Sequence, residues 1–181
     1  IMKVKFFFSI LFFFYKVTYS QNNQWNIDTK NSVIIYSGDH LLHSWKGKND
    51  KVYGLAIPNS SEDSLEKLAI LIYVRDFDSN NPGRDAHSLE VLEELKYPEI
   101  KFYSEIIEIT GNQLKMFGRF DFHGIKIEKE LFAQVEMRNL EWQISGNFQL
   151  TPTDFNIELP SFLSVKMEDL LEIEYQIVIS K

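Results

Sequence analysis

In four stretches between Gln113 and Ile179 the chain switches between apolar and polar side chains with a period of two. Leu114, Met116, Gly118, Phe120 and Phe122 alternate with Lys115, Arg119, Asp121 and His123. Ile125, Ile127, Leu131, Ala133, Val135 and Met137 alternate with Lys126, Glu128, Glu130, Gln134, Glu136 and Arg138. Trp142, Ile144, Gly146, Phe148 and Leu150 continue the pattern, and Leu171, Ile173, Tyr175, Ile177 and Ile179 close the chain with it, opposite Glu172, Glu174 and Gln176. A period of two puts successive side chains on opposite faces of an extended backbone, one face buried and one wet. His123-Gly124 reads as a tight link between two such strands, and Gly146 inside a strand as a bend or bulge.

The first half of the chain extends the pattern with shorter strands. Val33 to Tyr36 is a strand ended by Ser37-Gly38-Asp39, and Leu41 to Lys46 is another, ended by Gly47-Lys48-Asn49-Asp50. Lys51 to Ile57 makes the third, Pro58 to Ser64 a polar loop, and Leu65 to Val74 a strand covered on both faces. The inventory is all-β, about eight short-linked strands, and fits a sandwich or a barrel. The long, strongly patterned last strand needs a partner, and pairing it back to the early strands gives a closed or nearly closed antiparallel barrel.

One helix interrupts the strands, expected at residues 85–96. Asp85 or Ser88 can cap its start. Leu89, Val91, Leu92 and Leu95 make an apolar stripe at three- and four-residue spacing, while Glu90, Glu93 and Glu94 face water. Tyr97 precedes Pro98 and is pushed out of the helical region, so the helix stops there. A short helix between two barrel strands packs across an edge or opening.

A length of 181 residues suits one domain with a core that needs no staples. Cysteine is absent. That excludes a disulfide framework, a thiolate zinc site and a cysteine nucleophile. Residues 1–20 read as a secretory signal: a basic Met2-Lys3-Val4-Lys5 start, the apolar block Phe6 to Tyr15, and small residues at Thr18 and Ser20. The block falls short of the roughly 20 apolar residues of a membrane-spanning helix. Cleavage after Ser20 leaves residues 21–181 as the exported domain, periplasmic or extracellular, with no transmembrane segment. Taking Lys3, Lys5 and Lys16 from the 19 basic residues leaves 16 against 26 acidic ones, a net charge of −10. Such a domain is a poor partner for nucleic acid or an anionic membrane surface.

Chemistry-bearing residues are few. His40 and His43 have the spacing of a helical metal pair, but residues three apart on a strand point to opposite faces. Surface or turn positions account for all four histidines, and no metal or cofactor is expected. Asp85 and His87 could form the orienting pair of a hydrolase, yet no G-x-S-x-G elbow accompanies them and Ser88 sits where serine caps a helix. No catalytic residues are assigned. The inward rows are rich in Phe, Ile and Leu, with Trp45 and Trp142 placed at the rim. A barrel of about eight strands can fill such an interior or hold a small apolar ligand.

The order of the motifs carries further information. Arg84-Asp85 before a short helix, then Tyr97-Pro98-Glu99-Ile100-Lys101-Phe102-Tyr103-Ser104, then Gly111-Asn112-Gln113-Leu114, then Gly118 to Gly124 with its His-Gly ending and a long closing strand: this arrangement, over roughly residues 32–181, resembles the YceI-like family of exported bacterial proteins. The chain departs from that family in its short first half, residues 33–57, and in Ile125-Lys126 after the turn. The resemblance implies a lipocalin-like antiparallel barrel that binds a polyisoprenoid lipid in its apolar interior without catalysis. The implied cavity wall is Phe102, Met116, Phe120, Phe122, Ile127, Leu131, Val135, Ile144, Phe148, Ile173, Tyr175 and Ile177. The alternative is a structural or surface-interaction barrel with a filled core.

Overall fold

The computed structural model describes residues 23–40, 43–139, 141–162 and 165–181; the expected signal at 1–20 lies outside them. In chain order the strands are β1 (Trp25–Ile27), β2 (Val33–His40), β3 (His43–Asn49), β4 (Tyr53–Pro58), β5 (Leu65–Tyr73), β6 (Glu99–Thr110), β7 (Gln113–Phe122), β8 (Ile125–Met137), β9 (Glu141–Leu150), β10 (Ser161–Phe162), β11 (Val165–Lys166) and β12 (Leu171–Ser180). A helix α1 (Pro82–Val91) and 3-10 turns at Val74–Asp76 and Pro152–Phe155 fill the two long connections.

The alternating segments become β7, β8, β9 and β12, and their even or odd rows are the more buried ones, except that Val178 of β12 is buried on the other face and Met137 at the end of β8 is exposed. Each strand pairs antiparallel with the next, from β4 through β5, β6, β7, β8 and β9 to β12. The last strand does return to the first. Asn26 and Ile27 of β1 pair with Ser180 and Ile179, and Val33 to Gly38 of β2 pair with Gln176 to Leu171. β1 also pairs with β4, and β2 with β3. β1 and β2 therefore act as one interrupted strand, β3 and β4 as the next, and the sheet closes as an eight-strand antiparallel barrel.

The interruption has a local cause. Asp28 keeps its backbone N–H on the Val178 carbonyl, while its side chain accepts from the N–H groups of Lys30 and Asn31, a turn that lifts the next residues off the ladder. Buried Ser32 then accepts from Val178 N–H at 2.9 Å, standing in for the backbone partner the turn removed.

Two glycines expected to end strands lie inside them instead. β2 runs through Ser37-Gly38-Asp39, and β3 through Gly47. A Cβ at Gly38 would stand 2.7 Å from the Trp45 ring, and one at Gly47 would stand 2.2 Å from the Tyr36 ring. These glycines are seats for cross-strand aromatic rings, so the sheet continues past them. Gly146 has the same role rather than marking a bulge. Its strand keeps register through Gly146, and the Tyr175 hydroxyl would lie 2.6 Å from a Cβ there. The register shifts instead on β4, between Ile57 and Pro58, and on β6, between Ser104 and Ile106, where Ser104 Oγ lies 2.7 Å from the Phe117 carbonyl and 3.1 Å from that of Ile106.

The antiparallel order sorts the connections by end. The β4–β5, β6–β7 and β8–β9 links share one end with Trp25 and Lys181; the β5–β6, β7–β8 and β9–β12 links share the other. The first end is a packed floor. Trp25 and Trp142 are buried there, not at a rim, with ring centroids 5.1 Å apart in an edge-to-face contact. Leu114, Val135 and Ile179 pack with them, and Lys181 Nζ lies 4.6 Å over the Trp25 ring.

At the other end stands the helix, shifted from the expected 85–96. It starts at Pro82 because Asn81, not Asp85 or Ser88, caps it, Oδ1 accepting from Arg84 N–H at 3.1 Å, with Pro82 at the first helical turn. Glu93, at φ +45°, ends the helical run, so Leu95 leaves the stripe and is almost wholly exposed. Leu89, Val91 and Leu92 keep the docking face and pack on the core.

Candidate functional site

Above the floor the barrel is hollow. A cavity of about 430 Å³ runs from a bottom layer of Met116, Leu131, Ile144 and Ile177 up to α1. That size lies in the range of small-molecule sites, roughly 300–1,000 Å³. The interior is thus neither filled nor open throughout: the lower layer is packed and the upper one empty of side chains.

The structure places ten of the twelve expected wall residues on this cavity: Phe102, Met116, Phe120, Phe122, Leu131, Ile144, Phe148, Ile173, Tyr175 and Ile177. Val135 is buried in the floor, beneath the cavity. Ile127 packs against the core near the β7–β8 turn without reaching the cavity. Phe102, Phe120 and Phe148 form a chain of tilted rings along the wall, with centroid separations of 4.9 and 5.2 Å.

The opposite wall comes from β2 and β3, which the sequence breaks at Gly38 and Gly47, and from β5, expected as a strand covered on both faces. Ile34 and Tyr36 of β2, Trp45 of β3, and Leu68, Ile70 and Ile72 of β5 face the same space. The signal was present as even-numbered apolar positions in Leu65–Tyr73. It was hidden in β2 and β3 by the glycines that seat the rings.

Two flaps cover the mouth. One is the β5–β6 connection with α1, whose Leu89, Val91 and Leu92 face inward. The other is the β9–β12 connection, which contributes Pro152, Ile157, Leu159 and Met167. His123 ties both to the barrel. It stands in the two-residue β7–β8 turn at φ +50°, before Gly124 at φ +76°, as a tight hairpin link requires. The ring is buried, unlike a surface histidine. Nδ1 lies 2.9 Å from the Phe155 carbonyl of the second flap, and a carbonyl only accepts, so Nδ1 carries a proton. Nε2 lies 3.2 Å from Glu93 Oε2 of the first flap, in an ion-pair approach off the line of a hydrogen bond. The Tyr97 ring packs on the imidazole at 4.5 Å.

Most polar groups of the mouth lie on α1 and β2, with Lys101 of β6 and Ser161 of β10 beside them. Arg84, Asp85, His87 and Ser88 all reach the cavity. Asp85 Oδ1 accepts from Ser79 N–H at 3.1 Å, and His87 Nδ1 lies 3.7 Å from Glu90 Oε2. Among the described residues no hydrogen bond joins Asp85 to His87, so the sequence pair is not an Asp–His relay. Burial, with the Asp85 charge, raises the Tyr36 hydroxyl pKa, while hydrogen bonding with Ser88 and Trp45 and the Arg84 charge act against that rise. Tyr175 lies deeper. Its oxygen is closed off from solvent with no hydrogen-bond partner among the described residues, and burial alone pushes its pKa up to about 12. No cluster of three or more metal-ligating side chains exists among the described residues.

Known proteins share this architecture. Residues 25–179 match the YceI-like domain family. A search of curated proteins finds no match. Among solved structures, Burkholderia cenocepacia BcnA superposes with a TM-score of 0.74 at 15% identity, over 84% of this chain and 98% of that one. A polyisoprenoid binding domain from Saccharophagus degradans, implicated in plant cell wall breakdown, superposes with a TM-score of 0.70 at 9% identity, over 86% and 97%. The Campylobacter jejuni YCEI protein gives 0.62 at 20% identity, over 76% and 87%. At these identities the solved structures speak for the fold, while the matched residues reach from the first strand of the barrel to the last. The chain belongs to the YceI-like domain family.

Proposed function

We propose that the protein is an exported, non-catalytic carrier that holds an apolar ligand, a polyisoprenoid lipid, inside the barrel. The observation that carries this reading is the hollow upper barrel: about 430 Å³ walled by Phe, Ile, Leu and Met side chains. The driving force is removal of apolar surface from water, about 25 cal/mol per Å². Immobilising the ligand's rotatable bonds offsets part of it. A family whose solved neighbours include a polyisoprenoid binding domain supports the same ligand class. Export rests on the leader-like residues 1–20, and cell fractionation with N-terminal sequencing tests it; protein that stays in the cytoplasm with residues 1–20 still attached overturns it.

The ligand is tested by extracting purified protein with organic solvent and analysing the extract by mass spectrometry. A prenyl lipid at near-stoichiometric amount is the expected result. Protein that carries no lipid and takes up no prenol after delipidation overturns the reading. One observation favours surface interaction as a second role: Ile106, Phe117 and Phe132 stand exposed together on the outer wall of β6, β7 and β8.

A further inference from the structure

The packed end of the barrel bounds how much of a chain the hollow end can take. Inward side chains stand in levels, because successive inward residues on a strand are about 7 Å apart. The lowest level is the tryptophan floor, with Leu114 on β7, Trp142 on β9 and Ile179 on β12. One inward step up the same strands stand Met116, Ile144 and Ile177, and Leu131 of β8 joins them as the cross-strand partner of Met116. All four are buried, and they form the bottom of the cavity. From Met116 to Phe122, beside the mouth, β7 climbs six residues. That is about 20 Å of strand at its usual rise, or about 15 Å of depth once the strand tilt of a barrel is taken in. An isoprene unit adds four carbon–carbon bonds of about 1.5 Å, so it reaches roughly 5 Å when extended.

We infer that the layer of Met116, Leu131, Ile144 and Ile177 is a chain-length ruler, which restricts the cargo to prenyl chains of about three or four units, and that Met116 sets the limit. This rests on the carrier reading above and bounds it. Beneath the layer the Trp25 and Trp142 rings interlock with centroids 5.1 Å apart, so a tip that reaches Met116 goes no deeper. A chain that is too long leaves its remaining units outside the flaps, in water, where they gain nothing from burial. Ile144 and Ile177 are β-branched and stiff at χ1. Met116 is unbranched, with three rotatable bonds and a thioether that fills irregular space. Changing its size changes the depth of the cup, while β6 and β8 hold its backbone from both sides.

The test gives delipidated protein phosphatidylcholine vesicles that hold farnesol, geranylgeraniol, hexaprenol and solanesol in equal amounts. Recovered protein is extracted, and the bound prenols are quantified by mass spectrometry. A unit that fits exchanges one apolar surrounding for another, whereas each unit that does not fit enters water at a loss of roughly tenfold or more. The wild type should favour farnesol and geranylgeraniol over solanesol by about a hundredfold or more. Met116→Ala should raise the bound ratio of geranylgeraniol to farnesol several-fold, and Met116→Phe should lower it. The two variants change size in opposite directions, so either one that folds decides the role of Met116, and the wild-type profile decides the length limit without them. Prenols bound in the proportions offered, or solanesol favoured, overturn the ruler and leave the carrier reading standing. A ratio unmoved in a folded variant overturns the assignment to Met116. Protein that takes up none of the four prenols overturns the carrier reading instead.

Discussion

Tyr175→Phe removes a single oxygen from the cavity wall, and the structure assigns that oxygen a cost. It has no hydrogen-bond partner among the described residues and is closed off from solvent. An unsatisfied buried hydroxyl destabilises the native state by roughly 1–3 kcal/mol. The phenyl ring keeps its seat over Gly146, so little packing is lost. The variant should be about 1 kcal/mol more stable at pH 8, a rise in Tm of about 2–4 °C for a chain of this size. The pH dependence is a second, independent reading. Burial moves the hydroxyl from 10.0 to about 12. Below pH 10 both folded and unfolded chains hold the proton, and nothing changes. Between pH 10 and 12 the unfolded chain releases it and the folded chain does not, so the wild type loses stability as pH rises, by about 1.4 kcal/mol at pH 11. Phenylalanine has no such proton. Urea unfolding at pH 8 and pH 11 should therefore show the variant's advantage growing by about that amount. A variant less stable than wild type at pH 8, or an advantage that stays constant to pH 11, would refute the reasoning.

Three further perturbations test the frame around the cavity. Gly118→Val places a Cβ 2.3 Å from Phe102 Cζ and 2.8 Å from the Tyr103 carbonyl; the backbone cannot yield, so stability should fall by roughly 1–3 kcal/mol in thermal unfolding and less ligand should be retained. Ser104→Ala deprives the β6 bulge of the hydroxyl lying between the Ile106 and Phe117 carbonyls and should cost about 1 kcal/mol in urea titration; an unchanged midpoint would mean water replaces it fully. His123→Asn keeps a residue tolerant of positive φ but loses the tie to Phe155, so amide exchange should speed up at residues 151–157 while β7 and β8 stay protected; unchanged exchange there would show that the tie does not hold the flap.

How legible the molecule was depended on how much each segment owed to its neighbours in sequence. β7, β8, β9 and β12 have long ladders with one wet face, and alternation alone placed their inward rows. Val135 shows the limit: a side chain's face is a local property, its depth is not. That residue points inward as expected, but only the closed barrel decides that its level is packed. The early strands failed for a related reason. Gly38 and Gly47 are turn formers by propensity, and the rings that make them strand residues lie across the sheet on Trp45 and Tyr36. The helix was found from its stripe, but its start depended on Asn81, one residue before a proline that also fits a loop. The second flap carries no period at all. Its Phe155 and Ile157 are buried through contacts such as those with Phe122 and His123, far off in sequence.

The tryptophan floor has a consequence for traffic. Trp25 and Trp142 interlock under Lys181 and, among the described residues, pack the end of the barrel opposite the flaps. A vessel closed at one end works last in, first out. On the carrier reading proposed above, a ligand enters and leaves by the flap-covered mouth, so a donor and an acceptor of that ligand would meet the same small face of the protein in turn.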